Sequence, residues 1–319
     1  MRSTSEKRSV TVDGGAFAMT PQHEAMRPTD RPTVIFLHIG KTGGMTLRSI
    51  LHRQFPASEI LVVRVLDREP SPTRLRREAS LARFASLPES TRGGARLIEG
   101  HTIFGLHAYV PRPSTYITLL RDPMSLVVSQ YRFVSRRPRH ALHSRVATKD
   151  MTLDAYVRSG ISLETDNSQT RALSGDTTTP FGECSEEMLE IAKANVRRHF
   201  AVTGLTERFD ETLLMLRRTF GWSRLWYVRT NVAPRRDGPE QVAPDTLRWL
   251  EQQNRFDIEL YRWAGEEFAA AIASDPTFGD DLQSFRRANA LYRPLGRIVH
   301  TLPKRAKARW KSRGGAPPS

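Results

Sequence analysis

Apolar residues fall along this chain in two rhythms: short unbroken runs, and longer stretches with one apolar face. Val34-Ile-Phe-Leu37, Ile60 to Leu66, 96 to 100 and Tyr116 to Leu120 read as strands. The first and last are apolar almost throughout, the mark of strands buried on both faces of a parallel sheet. Helical spacing is expected over 44 to 54, after Pro72, and from Pro123, where Leu126, Val127, Gln130 and Val134 follow one face. Further helices are expected over 151–159, 165–173, 186–198, 206–219 and 243–271, interrupted by strand candidates at Phe200 to Thr203 and Leu225 to Arg229. Strands alternating with helices predict an α/β fold: a three-layer parallel sheet flanked by helices, with a mainly helical C-terminal half.

Residues 1–31 lack periodicity and read as a flexible leader, and 32–285 as a single domain. The net charge of +15 would suggest a nucleic-acid partner if it were spread evenly. It is not: residues 286–319 hold ten Lys and Arg with no acid, a basic C-terminal tail suited to an anionic membrane surface or to solvent. No nucleic-acid partner is therefore expected. The single cysteine, Cys184, excludes an internal disulfide framework and a multi-cysteine zinc site. Without a long apolar span or a secretory-type leader, the chain is expected in a bacterial cytoplasm, at most peripheral on the inner membrane face.

The candidate chemistry begins where the first strand breaks into Gly40-Lys41-Thr42-Gly43-Gly44-Met45-Thr46. Glycines let backbone N–H groups approach an anion, Lys41 adds a point charge, and a helix starting near Gly44 points its positive end at the same spot. This is a phosphate cradle in outline. The ATP-binding spacing G-x-x-x-x-G-K-[ST] fails, because the position that needs its first glycine holds Ile35.

The second constellation is Tyr116 to Tyr131, a strand ending in Arg121-Asp122-Pro123 and a helix that presents Ser129 two turns on. Arg121 can fork onto a phosphate while the Ser129 hydroxyl completes the contact. Together, Phe36-Leu-His-Ile-Gly-Lys-Thr-Gly-Gly-Met-Thr-Leu47 and Leu119-Leu-Arg-Asp-Pro123 with Ser129 and Tyr131 resemble the sulfotransferases that use 3′-phosphoadenosine 5′-phosphosulfate (PAPS). The likeness is to the carbohydrate branch, near heparan sulfate 2-O-sulfotransferase, in a bacterial type, and it covers roughly residues 32–270.

That resemblance implies PAPS as cosubstrate, bound without metal, and a P-loop-like architecture. It gives the 5′-phosphosulfate to Gly40, Lys41, Thr42, Gly43, Gly44, Met45 and Thr46, and the 3′-phosphate to Arg121 and Ser129. Met45 replaces a usual Thr or Ser, so any hydroxyl contact falls to Thr42 or Thr46. Two separated anion sites suit a nucleotide phosphorylated on both sides of its ribose. The acceptor is expected to be a hydroxyl on a carbohydrate or glycolipid.

Sulfuryl transfer needs a base for the acceptor proton, and Glu99-Gly100-His101 resembles the family's Gly-His element, which places that role on His101. His107 and Glu99 stand as alternatives. His38 reads as a core histidine, and Lys41 has a second expected role, neutralising the leaving oxygen. Asn167, Gln169 and Arg171 are candidates for lining the acceptor pocket, and the basic run Arg132 to Lys149 for guiding an acidic acceptor. Two other readings stay open: a nucleoside-triphosphate kinase or hydrolase with Asp122 on magnesium, and a polyanion- or membrane-binding module using the tail.

Overall fold

The computed structural model describes residues 31–63, 73–147, 149–176, 178–228 and 242–294. Five strands, β1 (Thr33–Leu37), β2 (Ile60–Val63), β3 (Leu97–Gly100), β4 (Ser114–Leu120) and β5 (Phe200–Leu205), form one sheet in the order β2-β3-β1-β4-β5. Every pairing is parallel. The helices are α1 (Gly44–Leu51), α2 (Thr73–Ala85), α3 (Glu89–Gly94), α4 (Pro123–Arg136), α5 (His143–Val146) and α6 (Leu153–Arg158). They continue with α7 (Ser168–Ser174), α8 (Glu186–His199), α9 (Phe209–Phe220), α10 (Pro244–Gln253), α11 (Arg255–Ala273) and α12 (278–294).

The apolar runs become strands because both sheet faces are covered. Ile35, Phe36 and Leu37 are completely buried, as are Leu97, Ile98, Leu119 and Leu120. Each such aliphatic or aromatic side chain contributes roughly 1.5–3 kcal/mol on burial, which outweighs the modest β-propensity differences between residues. A second, smaller core of Val127, Val134, Val146, Tyr156, Val157 and Leu250 joins α4, α5, α6 and α10.

The strand order fixes where a ligand can sit. From β1 the chain leaves toward β2 on one side, and from β4 it leaves toward β5 on the other. The carboxyl ends of neighbouring strands β1 and β4 therefore form the switch point of the sheet, the usual binding crevice of open parallel sheets. Both sequence motifs lie at those two ends.

Three expectations change. Leu225 to Arg229 does not form a strand: 225–228 are irregular and Arg229 lies outside the described residues. Leu225 and Tyr227 are buried, and the Tyr227 N–H donates to the Asn289 side chain at 2.9 Å instead of a ladder partner. The stretch 243–271 is two helices, broken at Asn254, whose side-chain N–H donates to the Thr165 and Leu250 carbonyls. Residues 286–294, expected as the start of the basic tail, continue α12, and buried Asn289 ties them to the fold. The leader through residue 30, the rest of the tail and the basic segment 229–241 lie outside the described residues.

Candidate active site

The turn after β1 is built from backbone conformations that few residues adopt. Lys41 has φ of 66° and Gly43 φ of 79°, both left-handed. Gly43 is the N-cap of α1, and no side chain caps that helix and no acid sits in its first turn. By contrast, Asp122, Thr152 and Ser185 cap α4, α6 and α8 through their own oxygens. The first N–H groups of α1 thus have no side-chain cap, as in several other helices of the fold. Gly40 is partly buried, Met45 is half exposed, and Thr46 is partly buried in the first turn of α1. Thr42 is fully buried and its hydroxyl donates to the Ile39 carbonyl at 2.9 Å. That hydroxyl holds the turn together, so the expected side-chain contact from Thr42 does not arise.

The second motif meets the first directly. Arg121 donates from Nη1 to the Lys41 carbonyl at 2.9 Å, which places the guanidinium against the turn and uses one of its five N–H donors. The Lys41 ammonium sits 4.3 Å from the centre of the Phe133 ring on α4. Ser129 lies one turn before Phe133 on the same helix face. Burial, then Arg121 and Arg137, lower the Lys41 pKa from its ordinary value, while Glu164 opposes the shift. Burial also lowers that of Arg121, against the pull of Glu207 and Asp122. Partly buried Lys41 thus has two further cations near it, partly buried Arg121 and exposed Arg137, with Glu164, Glu207 and Asp122 at the margin.

Two residues beyond the motifs lock this junction. Thr206, just past β5, donates its hydroxyl proton to the Thr42 carbonyl at 2.7 Å, and its N–H donates to the Leu120 carbonyl at 2.8 Å. Gln169 on α7 takes the Arg121 N–H on Oε1 at 2.8 Å and returns Nε2–H to the Arg121 carbonyl at 2.9 Å. The Asp122 carboxylate accepts from the Ser125 N–H at 2.8 Å as the α4 cap.

His101 lies just past β3 and is exposed. Its ring stacks on that of His38, with centroids 4.1 Å apart, and its Nδ1 lies 3.0 Å from the His38 carbonyl oxygen. A carbonyl only accepts, so Nδ1 carries the hydrogen and, in the neutral ring, Nε2 holds the lone pair. His38 is buried, as expected of a core histidine; burial, with His101 and Arg48 adding, holds its pKa well below the ordinary value. It stays uncharged at neutral pH. The His38 ring in turn lies against Gly44, where a Cβ would come within 2.1 Å of it. His101 is therefore one ring away from the start of α1.

Neither alternative base is placed for the task. Glu99 is buried and bonded to Arg48 Nε at 2.7 Å and to His52 Nε2 at 3.2 Å, which ties β3 to α1. His107 accepts from the Tyr116 hydroxyl at 3.0 Å and packs beside His199, opposite residues in the first half of β4. Asn167, Gln169 and Arg171 do not line a pocket either. All three are buried, and Arg171 is spent on Asp166 at 2.5 Å and on the Thr179 and Pro180 carbonyls. Asn167 donates to the Gln253 carbonyl and accepts from the Phe256 and Asp257 N–H groups.

Residues 5–289 match the family model of galactose-3-O-sulfotransferase. Heparan-sulfate 6-O-sulfotransferase 1 of Cricetulus griseus is 29% identical over 278 residues, covering 74% of this chain and 67% of that protein. The human heparan-sulfate 6-O-sulfotransferase 2 is 28% identical over 275 residues, covering 74% of this chain and 44% of its own. For human heparan-sulfate 6-O-sulfotransferase 1 the figures are 31% over 185 residues, 50% and 44%. The chain thus spans at most about two thirds of the length of these relatives.

These matches correct two expectations. The relatives carry the 6-O name and are vertebrate, so neither the 2-O branch nor a bacterial type is supported. The cytoplasmic placement is overturned, because the heparan-sulfate sulfotransferases matched are enzymes of the Golgi lumen. Among the described residues no helix is long and apolar enough to cross a membrane.

Proposed function

The chain belongs to the galactose-3-O-sulfotransferase family and is a sulfotransferase, and on that premise we propose that it moves the sulfuryl group of PAPS to a sugar hydroxyl with His101 as base. The observation that carries this reading is the bond from the Arg121 guanidinium to the Lys41 carbonyl. It sets the two motifs side by side at the switch point, which supports a reading in which both hold one nucleotide.

In this reading the N-terminus of α1 and Lys41 hold the 5′-phosphosulfate, through the turn Gly40, Thr42, Gly43, Gly44, Met45 and Thr46. Arg121 and Ser129 hold the 3′-phosphate. The acceptor oxygen forms a bond to sulfur as the bond from sulfur to the 5′-phosphate oxygen breaks. His101 Nε2 takes the acceptor proton, and Lys41 meets the charge that develops on the departing oxygen. A lysine held partly out of water stabilises that charge more strongly than an exposed one. Arg137, close enough to perturb Lys41, extends the positive field along the run Arg132 to Lys149 and suits an acidic carbohydrate approaching from that side. The names of the relatives, which specify heparan sulfate, fit such an acceptor.

The test separates binding from chemistry. His101→Ala is expected to leave affinity for 3′-phosphoadenosine 5′-phosphate nearly unchanged and to lower turnover about 10²–10⁴-fold, the range for loss of a general base. Undiminished turnover would remove His101 from the role. The nucleotide should raise the melting temperature without Mg²⁺. A rise only with ATP and the metal would overturn the nucleotide assignment.

A further inference from the structure

We propose that Gln169 is a positioning residue for recognition of the nucleotide 3′-phosphate: its side-chain amide takes the place of a neighbouring strand at the end of β4 and fixes the backbone from which Arg121 projects. The inference rests on the assignment of Arg121 to the 3′-phosphate.

A strand end is normally fixed by its ladder, and here the ladder stops one residue too early. β4 pairs with β5 as far as Leu120↔Leu205, and with β1 only as far as Thr118↔Leu37. The Leu120 carbonyl receives the Thr206 N–H, and with that the sheet ends. Arg121 is the next residue. Its N–H and C=O would face water or swing freely but for one carboxamide. Gln169 Oε1 accepts from the Arg121 N–H at 2.8 Å, and Gln169 Nε2 donates to the Arg121 carbonyl at 2.9 Å. This reciprocal pair has the donor–acceptor pattern of a strand neighbour, and only an amide side chain offers both groups in one plane.

The amide is itself held firmly. Gln169 is completely buried in the first turn of α7. Asp257 on α11 accepts from the N–H groups of Gln169 and Thr170 at 3.0 and 2.7 Å and from the Thr170 hydroxyl at 2.8 Å. The Asn167 N–H donates to Asn254 Oδ1 at 2.9 Å. The N-terminal turn of α7 is therefore held by the α10–α11 junction, and its rigidity is passed to Arg121 through one side chain. The guanidinium, whose Nη1 is docked on the Lys41 carbonyl, is then aimed from both its backbone and its tip.

A residue that merely stabilised the fold would, if lost, weaken every nucleotide alike. One that aims Arg121 should affect only a ligand with a 3′-phosphate. The experiment measures affinities of the full chain by calorimetry for 3′-phosphoadenosine 5′-phosphate and for adenosine 5′-phosphate, with thermal unfolding as a check. Gln169→Met keeps the volume and removes both hydrogen bonds. Affinity for the bisphosphate is expected to fall about tenfold while that for the monophosphate stays within about twofold, the scale of losing hydrogen bonds that hold one charged contact. Gln169→Glu retains the acceptor for the Arg121 N–H and loses the donor, and serves if the methionine variant does not fold. Its ratio should shift in the same direction.

Arg121→Met makes the parent assignment separately visible. If Arg121→Met removes the preference for the bisphosphate and both Gln169 variants keep it, the positioning role is refuted and the Arg121 assignment stands. Equal losses for both nucleotides in the Gln169 variants also refute it. An unchanged preference in Arg121→Met overturns the assignment and this inference with it.

Discussion

Replacing Gly44 by alanine tests how closely the support of the proposed base is built. A Cβ at Gly44 would lie 2.1 Å from both Cδ2 and Nε2 of His38. That is roughly 1.5 Å inside normal carbon contact. The ring has little room to yield, because it is buried, and Phe36 at 5.2 Å and His101 at 4.1 Å both stack on it. Overpacking of this kind costs about 1–3 kcal/mol, and the better helix propensity of alanine returns at most about 1 kcal/mol. Net destabilisation of about 1–2 kcal/mol is expected from urea unfolding. In a His38→Ala background the obstructing ring is gone and the same change should cost close to nothing. The two substitutions should therefore couple by about 1–2 kcal/mol in a double-mutant cycle. Gly40→Ala is the stability control: nothing lies within 4 Å of its added Cβ, so the folded state should tolerate it. Turnover in Gly44→Ala should also fall, since a displaced His38 carries with it the carbonyl that orients His101. Equal costs of Gly44→Ala in the two backgrounds would refute the packing argument.

Three further outcomes follow from the side-chain partners. Glu99→Gln weakens the tie to Arg48 and should cost about 1.5–3 kcal/mol, the worth of a hydrogen bond to a charged group, while the folded enzyme keeps its turnover. A large loss of turnover at unchanged stability would instead make Glu99 the base. His107→Phe keeps the ring packing against Phe104 and forfeits the bond from Tyr116, so about 1 kcal/mol of stability is lost and activity is retained. Inactivity of that variant would reinstate His107. Burial raises the Asp257 carboxyl to about 6, with nearby Asp166 adding and the N–H groups of α7 opposing. The folded state then keeps its proton to higher pH than the unfolded chain, so its stabilising effect is full below about pH 4 and is lost as pH rises through about 6. Asp257→Asn should flatten that fall in unfolding free energy, and a slope identical to wild type would contradict it.

The strands and the turn after β1 were legible because their physics is local. A run such as Val34 to Leu37 can be stable only when both faces are covered, and the glycine-rich break behind it marks a tight strand–turn–helix connection. Asn167, Gln169 and Arg171 were misread for the opposite reason. Their polarity suggested a pocket, yet Asn167 and the Gln169 N–H find their partners Gln253, Asn254 and Asp257 more than eighty positions away, on helices whose packing no local pattern reveals, and Arg171 turns inward onto Asp166 and the Thr179 and Pro180 carbonyls. Leu225 to Arg229 failed likewise: an apolar run predicts burial, which Leu225 and Tyr227 have, but not a ladder partner. Gln169 did carry a signal in hindsight of chemistry alone. A fully buried amide next to an arginine-bearing strand end must find both a donor and an acceptor, and a terminal peptide group offers that pair.

The choice between the two candidate bases follows from where the third strand stops. Glu99 is still in register, paired with Phe36 on β1 and Val62 on β2, so the pleat commits its side chain to one face, where Arg48 and His52 of the α1 segment receive it. A carboxylate held there is already paired, and moving it toward an acceptor would break its bonds to Arg48 and His52. Gly100 is the last paired residue, opposite Leu37 and Val63. One step further the pleat no longer dictates direction, and the His101 ring turns back over His38, at the carboxyl edge shared by β3 and β1. There the carbonyl of His38 takes the hydrogen on Nδ1, and the exposed position allows Nε2 to meet a large acceptor. In the proposed reading a base for a sugar hydroxyl has to combine a fixed tautomer with access from outside, and of these two candidates His101 has both.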